Sequence, residues 1–515
     1  MPSRSFFVPM KTWVGRHRSY KQSIEGLHDF KVLVPASEAA TRLQAYNDVT
    51  KEFQGLISQA IKRKKTLRAF GSSWSLSKVA VAKHELINTK PLRIGFTIPA
   101  SQTSPNYAGD REKLRFLQCG FSIAETNSVL FKDRLSLKAS GSNNGQTLPG
   151  VISTNTHGSA FRFGATPDFV VGIHLIVGPS RHVYLERASY PVIADSFAQA
   201  LGAELIRDDT LFNAALVSFG SFGIIHGLMI EPRELFLLHA IRSFQPFNAA
   251  LKSAISTLDF TGLDLHGEQA SDLYHFQVTV NPNEGNPPPE AAVYLMFEKP
   301  WTENYEAPQW DDSASGPGAS GLELMGSLYD MIPSVLSKLI KPLLNAQVRN
   351  QLAPYDMTVP TKDLFTGEKT QGPVFASGMG LPTPRALEAL SIALNAYEEM
   401  GSVIPVLLTM RFVKGTKALL GFTKFESTCV LEVDGLNNAK TRAYAKQVWK
   451  GLEEAGIPFT MHWGKFNSFL NKTRVRNMYG DDNVDKWIES RESLLTSEVR
   501  KVFTNDFLQS VGLAT

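Results

Sequence analysis

A chain of 515 residues, 43% hydrophobic and 20% charged, has the composition of a folded protein with room for two or more folding units, far from the low-apolar, high-charge regime of disorder. A formal net charge of +4 gives no field that argues for a nucleic acid partner. Two cysteines, Cys119 and Cys429, exclude a disulfide framework; the start Met1-Pro2-Ser3-Arg4-Ser5-Phe6-Phe7 lacks an apolar signal core, and no run approaches the roughly 18 apolar residues of a membrane span, so a cytoplasmic protein without a membrane span is expected.

In chain order, a short strand is predicted at residues 31–34 and a helix at 39–61, where Leu43, Tyr46, Val49, Phe53, Leu56, Ile57 and Ile61 recur at helical spacing. Lys62-Arg63-Lys64-Lys65 closes that helix with cations that complement its dipole. Further apolar runs at 66–70, 114–118, 169–177 and 224–230 read as strands between Gly/Ser-rich turns. Beyond Glu231-Pro232 the texture changes. Alternating segments at 274–280 and 291–297 flank a Pro/Gly-rich stretch, as in a long hairpin; a loose segment at 311–321 precedes an apolar helix at 322–340. Two more strands, at 403–412 and 428–433, bracket the turn Lys414-Gly415-Thr416. Gly316-Pro317-Gly318-Ala319-Ser320-Gly321 matches GxGxxG in letters but lacks the strand before it and the close-packed helix after it that a dinucleotide fingerprint needs. No Cys/His cluster has metal-ligand spacing, and no metal is expected.

Four segments carry chemistry. Leu67-Arg68-Ala69-Phe70-Gly71-Ser72-Ser73-Trp74-Ser75 is a strand running into a turn of small residues, which can aim successive N–H groups at an anion. Residues 140–159 are dense in glycine and small hydroxyl residues, as where backbone packs directly on a flat or phosphorylated ligand. Ser218-Phe219-Gly220-Ser221-Phe222-Gly223-Ile224-Ile225 is a glycine pair leading into a strand, and His462-Trp463-Gly464-Lys465 joins an imidazole, a large ring and a cation.

The order of these pieces, with Val34-Pro35, Leu86-Ile87-Asn88-Thr89, Arg411-Phe412 and the closing residues 491–507, resembles the sugar-lactone and alditol oxidase branch of the vanillyl-alcohol-oxidase flavoproteins. The resemblance implies an α+β chain: a PCMH-type FAD-binding domain of two α/β subdomains (1–235), a cap or substrate domain with an antiparallel sheet flanked by helices (236–460), and a C-terminal segment returning to the flavin (461–515). It implies that Gly71, Ser72, Ser73, Trp74 and Ser75 cradle the pyrophosphate. Gly141, Gly145, Ser153, Thr154, Thr156, His157, Gly158 and Ser159 would line the cofactor, and Gly223 and Ile225 its adenine side. His-Trp-Gly-Lys matches the lactone-oxidase signature and implies that Lys465 stabilises charge on the reduced flavin.

Two departures are informative. The histidine that tethers FAD in many relatives is here Trp74, so FAD is expected to bind non-covalently. The family's Glu-x-Arg is here Thr409-x-Arg411. Threonine is no base near neutral pH, which, with the aromatic residues Tyr274, Phe276, Tyr294, Phe297 and Trp301 on the cap strands, makes a less polar alcohol, as in the sterol oxidases of the same superfamily, the alternative to the sugar-lactone or alditol substrate that the resemblance implies. Arg411 would bind a substrate oxygen or pair with a cap carboxylate. The expected reaction is hydride transfer from a CH–OH carbon of a small molecule to flavin, with dioxygen or another acceptor. His462 is the first candidate for the base and His275, on the cap hairpin, the second. A flavoprotein without catalysis is the rival reading.

Overall fold

Three sheets of four or more strands organise the described residues, which are 4–31, 39–307, 341–365 and 373–514 of the computed structural model. The loose segment, the GxGxxG-like stretch and the apolar helix expected between 311 and 340 lie outside them, as does most of the strand expected at 31–34.

The first sheet holds β1 (Arg4–Pro9), β2 (Gly26–Lys31), β3 (Leu67–Phe70) and β4 (Glu85–Asn88) in the order β1-β2-β4-β3, with β2, β4 and β3 parallel and β1 antiparallel at the edge. Parallel neighbours need a crossover, and α1 (Ala39–Lys62) supplies it between β2 and β3. Its buried stripe is Tyr46, Val49, Phe53, Leu56, Ile57 and Ala60, the period of a helix with one face on a core. Just past its basic end, Lys65 pairs with Glu25 and Glu85 and pins the chain to β4.

The second sheet holds β5 (Gly95–Thr97), β6 (Arg115–Gln118), β7 (Val170–Ile176), β8 (His182–Glu186), β9 (Glu204–Arg207) and β10 (Ile224–Ile230) in the order β9-β8-β7-β10-β6-β5, antiparallel except for β8 with β9. Every residue of β7 and β10 is buried. Both faces of these strands are covered, so they read as near-continuous apolar runs, interrupted by the buried His174 and His226, rather than as alternation.

The third sheet is antiparallel and has eight strands: β11 (Phe236–Pro246), β12 (Leu273–Val280), β13 (Glu290–Pro300), β14 (Tyr355–Val359), β15 (Val374–Pro382), β16 (Val406–Lys414), β17 (Ser427–Leu436) and β18 (Thr460–Met461), ordered β14-β11-β13-β12-β16-β17-β15-β18. Helices α2 (Ala386–Glu399) and α3 (Ala439–Glu454) cover one face through Leu390, Ala393, Tyr444, Val448 and Trp449, whose indole donates to Ser377. The opposite face of β16 and β17 carries the polar residues described below.

After β18 the chain leaves the third sheet and returns to the other two. On α4 (Asp481–Leu494), Trp487 donates to the Val217 carbonyl and Arg491 to that of Ser221. Arg68 of β3 in turn donates to the Phe503 carbonyl. Among the described residues no helix is long and apolar enough to cross a membrane.

Candidate active site

A cavity of about 1610 Å3 is shared by all three sheets and the C-terminal segment, larger than the roughly 300–1,000 Å3 usual for a small-molecule pocket. One end is the turn that β3 delivers. Gly71 to Ser75 all line the cavity. Ser73 is left-handed, with φ 58, and a Cβ on Gly71 would lie 1.9 Å from Thr147 Oγ1, so the turn closes only with glycine there. Ser72 Oγ, Trp74 Nε1 and Gln146 Oε1 are buried at this wall without a hydrogen-bond partner. Unpaired buried polar atoms are uncommon in a folded chain; the Ser72 hydroxyl and the Trp74 indole N–H can donate to an anion such as the pyrophosphate half of a dinucleotide, while Gln146 Oε1 can only accept from a ligand donor.

Of the other residues expected on the cofactor, Gly141, Ser153, Thr154, Thr156, His157, Gly223, Ile225 and Lys465 line the same cavity. Gly145, Gly158 and Ser159 do not. A Cβ on Gly145 would lie 2.5 Å from the Trp74 ring, and one on Gly158 2.4 Å from the Ser140 carbonyl. Ser159 Oγ donates to the Phe276 carbonyl and accepts from Phe412 N at 2.9 Å, fastening the segment to the third sheet. These three sit behind the wall, and the glycines allow its close packing.

The other wall is the polar face of β16 and β17. Their register puts Thr409 directly opposite Glu432, a fully buried carboxylate that the Thr409-x-Arg411 comparison missed. Glu432 pairs with Arg411 through one oxygen and with Lys465 through the other, while Arg411 Nε donates to Gln277 Oε1 at 2.9 Å. Burial alone would raise the Glu432 carboxyl, but the charges of Arg411 and Lys465 outweigh it and hold it well below the ordinary carboxylate range. Position 409 therefore lacks an acid while the site has one, supplied by the next strand, and the argument from Thr409 for a less polar substrate falls. Thr409 itself is buried off the cavity, its hydroxyl 3.3 Å from that of Thr279. The signal was present in the sequence: Glu432 and Asp434, two apart in an otherwise apolar strand, must face the same way. Asp434 lines the cavity, and burial followed by the Glu432 charge pushes it up to about 6.

Lys465 reaches Glu432 across β15, where His462 N donates to the Gly378 carbonyl at 2.9 Å and Phe466 N to that of Ala376 at 2.8 Å. Trp463 anchors the segment, fully buried, its indole donating to the Leu420 carbonyl at 2.7 Å. Leu76 N and the Ser75 hydroxyl both donate to the Gly464 carbonyl. The small-residue turn and the lysine segment are thus tied directly to each other.

Neither histidine expected as a base is disposed as one. His462 lines the cavity, but its Nδ1 accepts from Gly464 N at 3.0 Å. The neutral ring then carries its proton on Nε2, and burial followed by the Lys465 charge holds it well below the ordinary imidazole value. His275 is buried off the cavity, its Nε2 without a partner, and burial and then Arg411 lower it to about 3. His157 Nδ1 donates to the Gly158 carbonyl at 2.9 Å, leaving Nε2 3.6 Å from Glu432.

No protein-family model matches the chain. It is 23% identical over 470 residues to an L-gulono-1,4-lactone dehydrogenase of Mycobacterium tuberculosis, covering 89% of this chain and 93% of that protein. It is 32% identical to L-gulonolactone oxidase 3 of Arabidopsis thaliana, covering 72% of this chain and 65% of that protein. Similarity to a D-arabinono-1,4-lactone oxidase of Debaryomyces hansenii is 27% over 39% of this chain, and the match spans only 34% of that relative's length. Among solved structures, cholesterol oxidase from Brevibacterium sterolicum superimposes with a TM-score of 0.69 at 11% identity over 99% of this chain and 97% of that one, a likeness of fold. Similarity to lactone oxidases and dehydrogenases and the fold of a cholesterol oxidase thus meet in a chain that brings the small-residue turn and the His-Trp-Gly-Lys segment to one cavity.

Proposed function

We propose that the protein is an oxidoreductase that binds one FAD non-covalently and oxidises a CH–OH group of a sugar lactone or a related polar alcohol, passing the electrons to dioxygen or another acceptor. The observation that carries this reading is that the Arg411–Glu432–Lys465 cluster and the Gly71–Ser75 turn open onto one cavity. In this reading the turn, with Ser72 Oγ and Trp74 Nε1, holds the pyrophosphate. FAD, when bound, supplies a two-electron acceptor. Arg411 and Lys465, both braced on Glu432, hold substrate oxygens and stabilise developing negative charge. The Trp74 indole has no nucleophilic nitrogen to bond a flavin, which supports non-covalent binding. Cys119 and Cys429, both free and buried, suit a reducing, cytoplasmic setting.

The test is acid precipitation of the purified yellow protein, followed by an anaerobic screen of lactones, polyols and sterols. All of the colour should pass to the supernatant, and a lactone or polyol should bleach the flavin. Colour held in the pellet would overturn non-covalent binding. Bleaching by sterols alone would overturn the substrate class, and no bleaching at all would leave a flavoprotein without this activity.

A further inference from the structure

We propose that Asp434 is the base that receives the substrate's hydroxyl proton, an inference that rests on the reading of this cavity as an alcohol-oxidising site. On β17, Val430, Glu432 and Asp434 point to the cavity side. Glu432 is spent on two cations. Asp434 sits one pleat further along, between Leu407 of β16 and Ala376 of β15, both without charge, and lines the cavity. The groups that act on it are Glu432 on its own strand, Thr409 and Arg411 on β16, and Lys465 from the C-terminal segment. Burial and the Glu432 charge raise it to about 6, against the opposing pull of the two cations and a hydrogen bond from Thr409. It is therefore mostly ionised at neutral pH yet more basic than an ordinary carboxylate, the condition that favours a general base. Two carboxylates with affinities driven apart, Glu432 down and Asp434 up, divide the work: one holds the cations and the other handles the proton.

Three other proton acceptors line this wall. His462 Nδ1 takes a backbone N–H, Glu432 would have to give up an ion pair, and His157, whose Nε2 faces Glu432 at 3.6 Å, is held below the ordinary imidazole value by burial. In the step, the substrate O–H bond breaks and its proton goes to the Asp434 carboxylate. The freed electron pair forms the C=O bond, and the C–H bond breaks with its electron pair, the hydride passing to FAD. Asp434 returns the proton to solvent once product leaves.

The experiment uses FAD-loaded parent, Asp434→Asn and Asp434→Glu proteins with a lactone or polyol that bleaches the parent. Asp434→Asn is expected to retain FAD and to be reduced about a hundredfold or more slowly, without the parent's loss of rate below about pH 6. Asp434→Glu should restore at least a tenth of the parent rate. A second readout needs no turnover. Because the folded-state value near 6 lies above the ordinary carboxylate value near 4, the folded protein binds more protons than the unfolded chain in that window. Stability contributed by the protonated group is present below about pH 4 and lost as pH rises through about 6, so the parent's Tm should fall relative to Asp434→Asn over that range. Equal reduction rates and pH profiles in parent and Asp434→Asn overturn the assignment, as do superimposable Tm curves. Failure of every lactone and alcohol to bleach the parent overturns the reading of the site, and the inference with it.

Discussion

Glu432 separates two cations that would otherwise face each other in a buried wall, and that one side chain determines how the site is read. Its carboxylate is spanned by Arg411 and Lys465, and removing one partner of a buried pair costs about 3–5 kcal/mol because the remaining charge is left uncompensated. Glu432→Thr should destabilise the protein by about that amount. Thr409→Glu added to it puts a carboxylate on the directly opposed residue of the adjacent strand, where Cβ atoms lie about 5 Å apart, and should recover at least half of the loss in urea denaturation. A double variant no more stable than the single one would show that the two positions are not interchangeable. The cross-strand relation also explains what the sequence withheld. Thr409-x-Arg411 is legible as a motif missing its acid, whereas the substitute lies 23 positions on, and only strand register brings 409 and 432 together.

Elements whose burial follows from their own period were legible; those whose composition answers to a neighbour were not. The helix expected at 39–61 is α1, Ala39–Lys62, because one face meets the core from Tyr46 to Ala60, about four turns. The apolar runs expected at 169–177 and 224–230 are β7 and β10, and the Pro/Gly-rich stretch joins β12 to β13. No strand was expected at β15, Val-Phe-Ala-Ser-Gly-Met-Gly-Leu-Pro, since glycine weakens strand signals. Those glycines answer to what crosses them. A Cβ on Gly378 would lie 3.4 Å from His462 Cβ and 3.6 Å from Lys465 Cδ. Gly378→Ala should therefore change stability by less than about 1 kcal/mol, whereas the branched side chain of Gly378→Val intrudes on the Lys465 stem, with an overpacking cost of about 1–3 kcal/mol. Flavin reduction in Gly378→Val should slow toward the rate of Lys465→Met, measured by anaerobic mixing. A parent-like rate in Gly378→Val would show that Lys465 does not depend on this passage.

At the scale of the whole molecule, the contacts that close the cavity are too distant in sequence for any periodicity to reveal. Arg68 meets Phe503 across 435 positions, and the Ser75 hydroxyl meets Gly464 across 389. What the sequence offered was an order of short motifs, which carries the family's architecture but not the partner of any one residue. The closure has a thermodynamic consequence. All three sheets and the C-terminal segment contribute to the cavity, so a ligand filling it stabilises them together, and FAD at a hundred times its Kd adds about 2.7 kcal/mol to the folded state. Calorimetry of the apoprotein with and without FAD should show the transition moving upward as a unit, and amide exchange should slow both at Gly71–Ser75 and at His462–Lys465. If a second transition stays in place while the first moves, the cofactor is held by one part alone and the third sheet closes over it independently. If everything moves together, the tie from Leu76 N and Ser75 Oγ to the Gly464 carbonyl couples the cofactor turn to the lysine that faces the substrate.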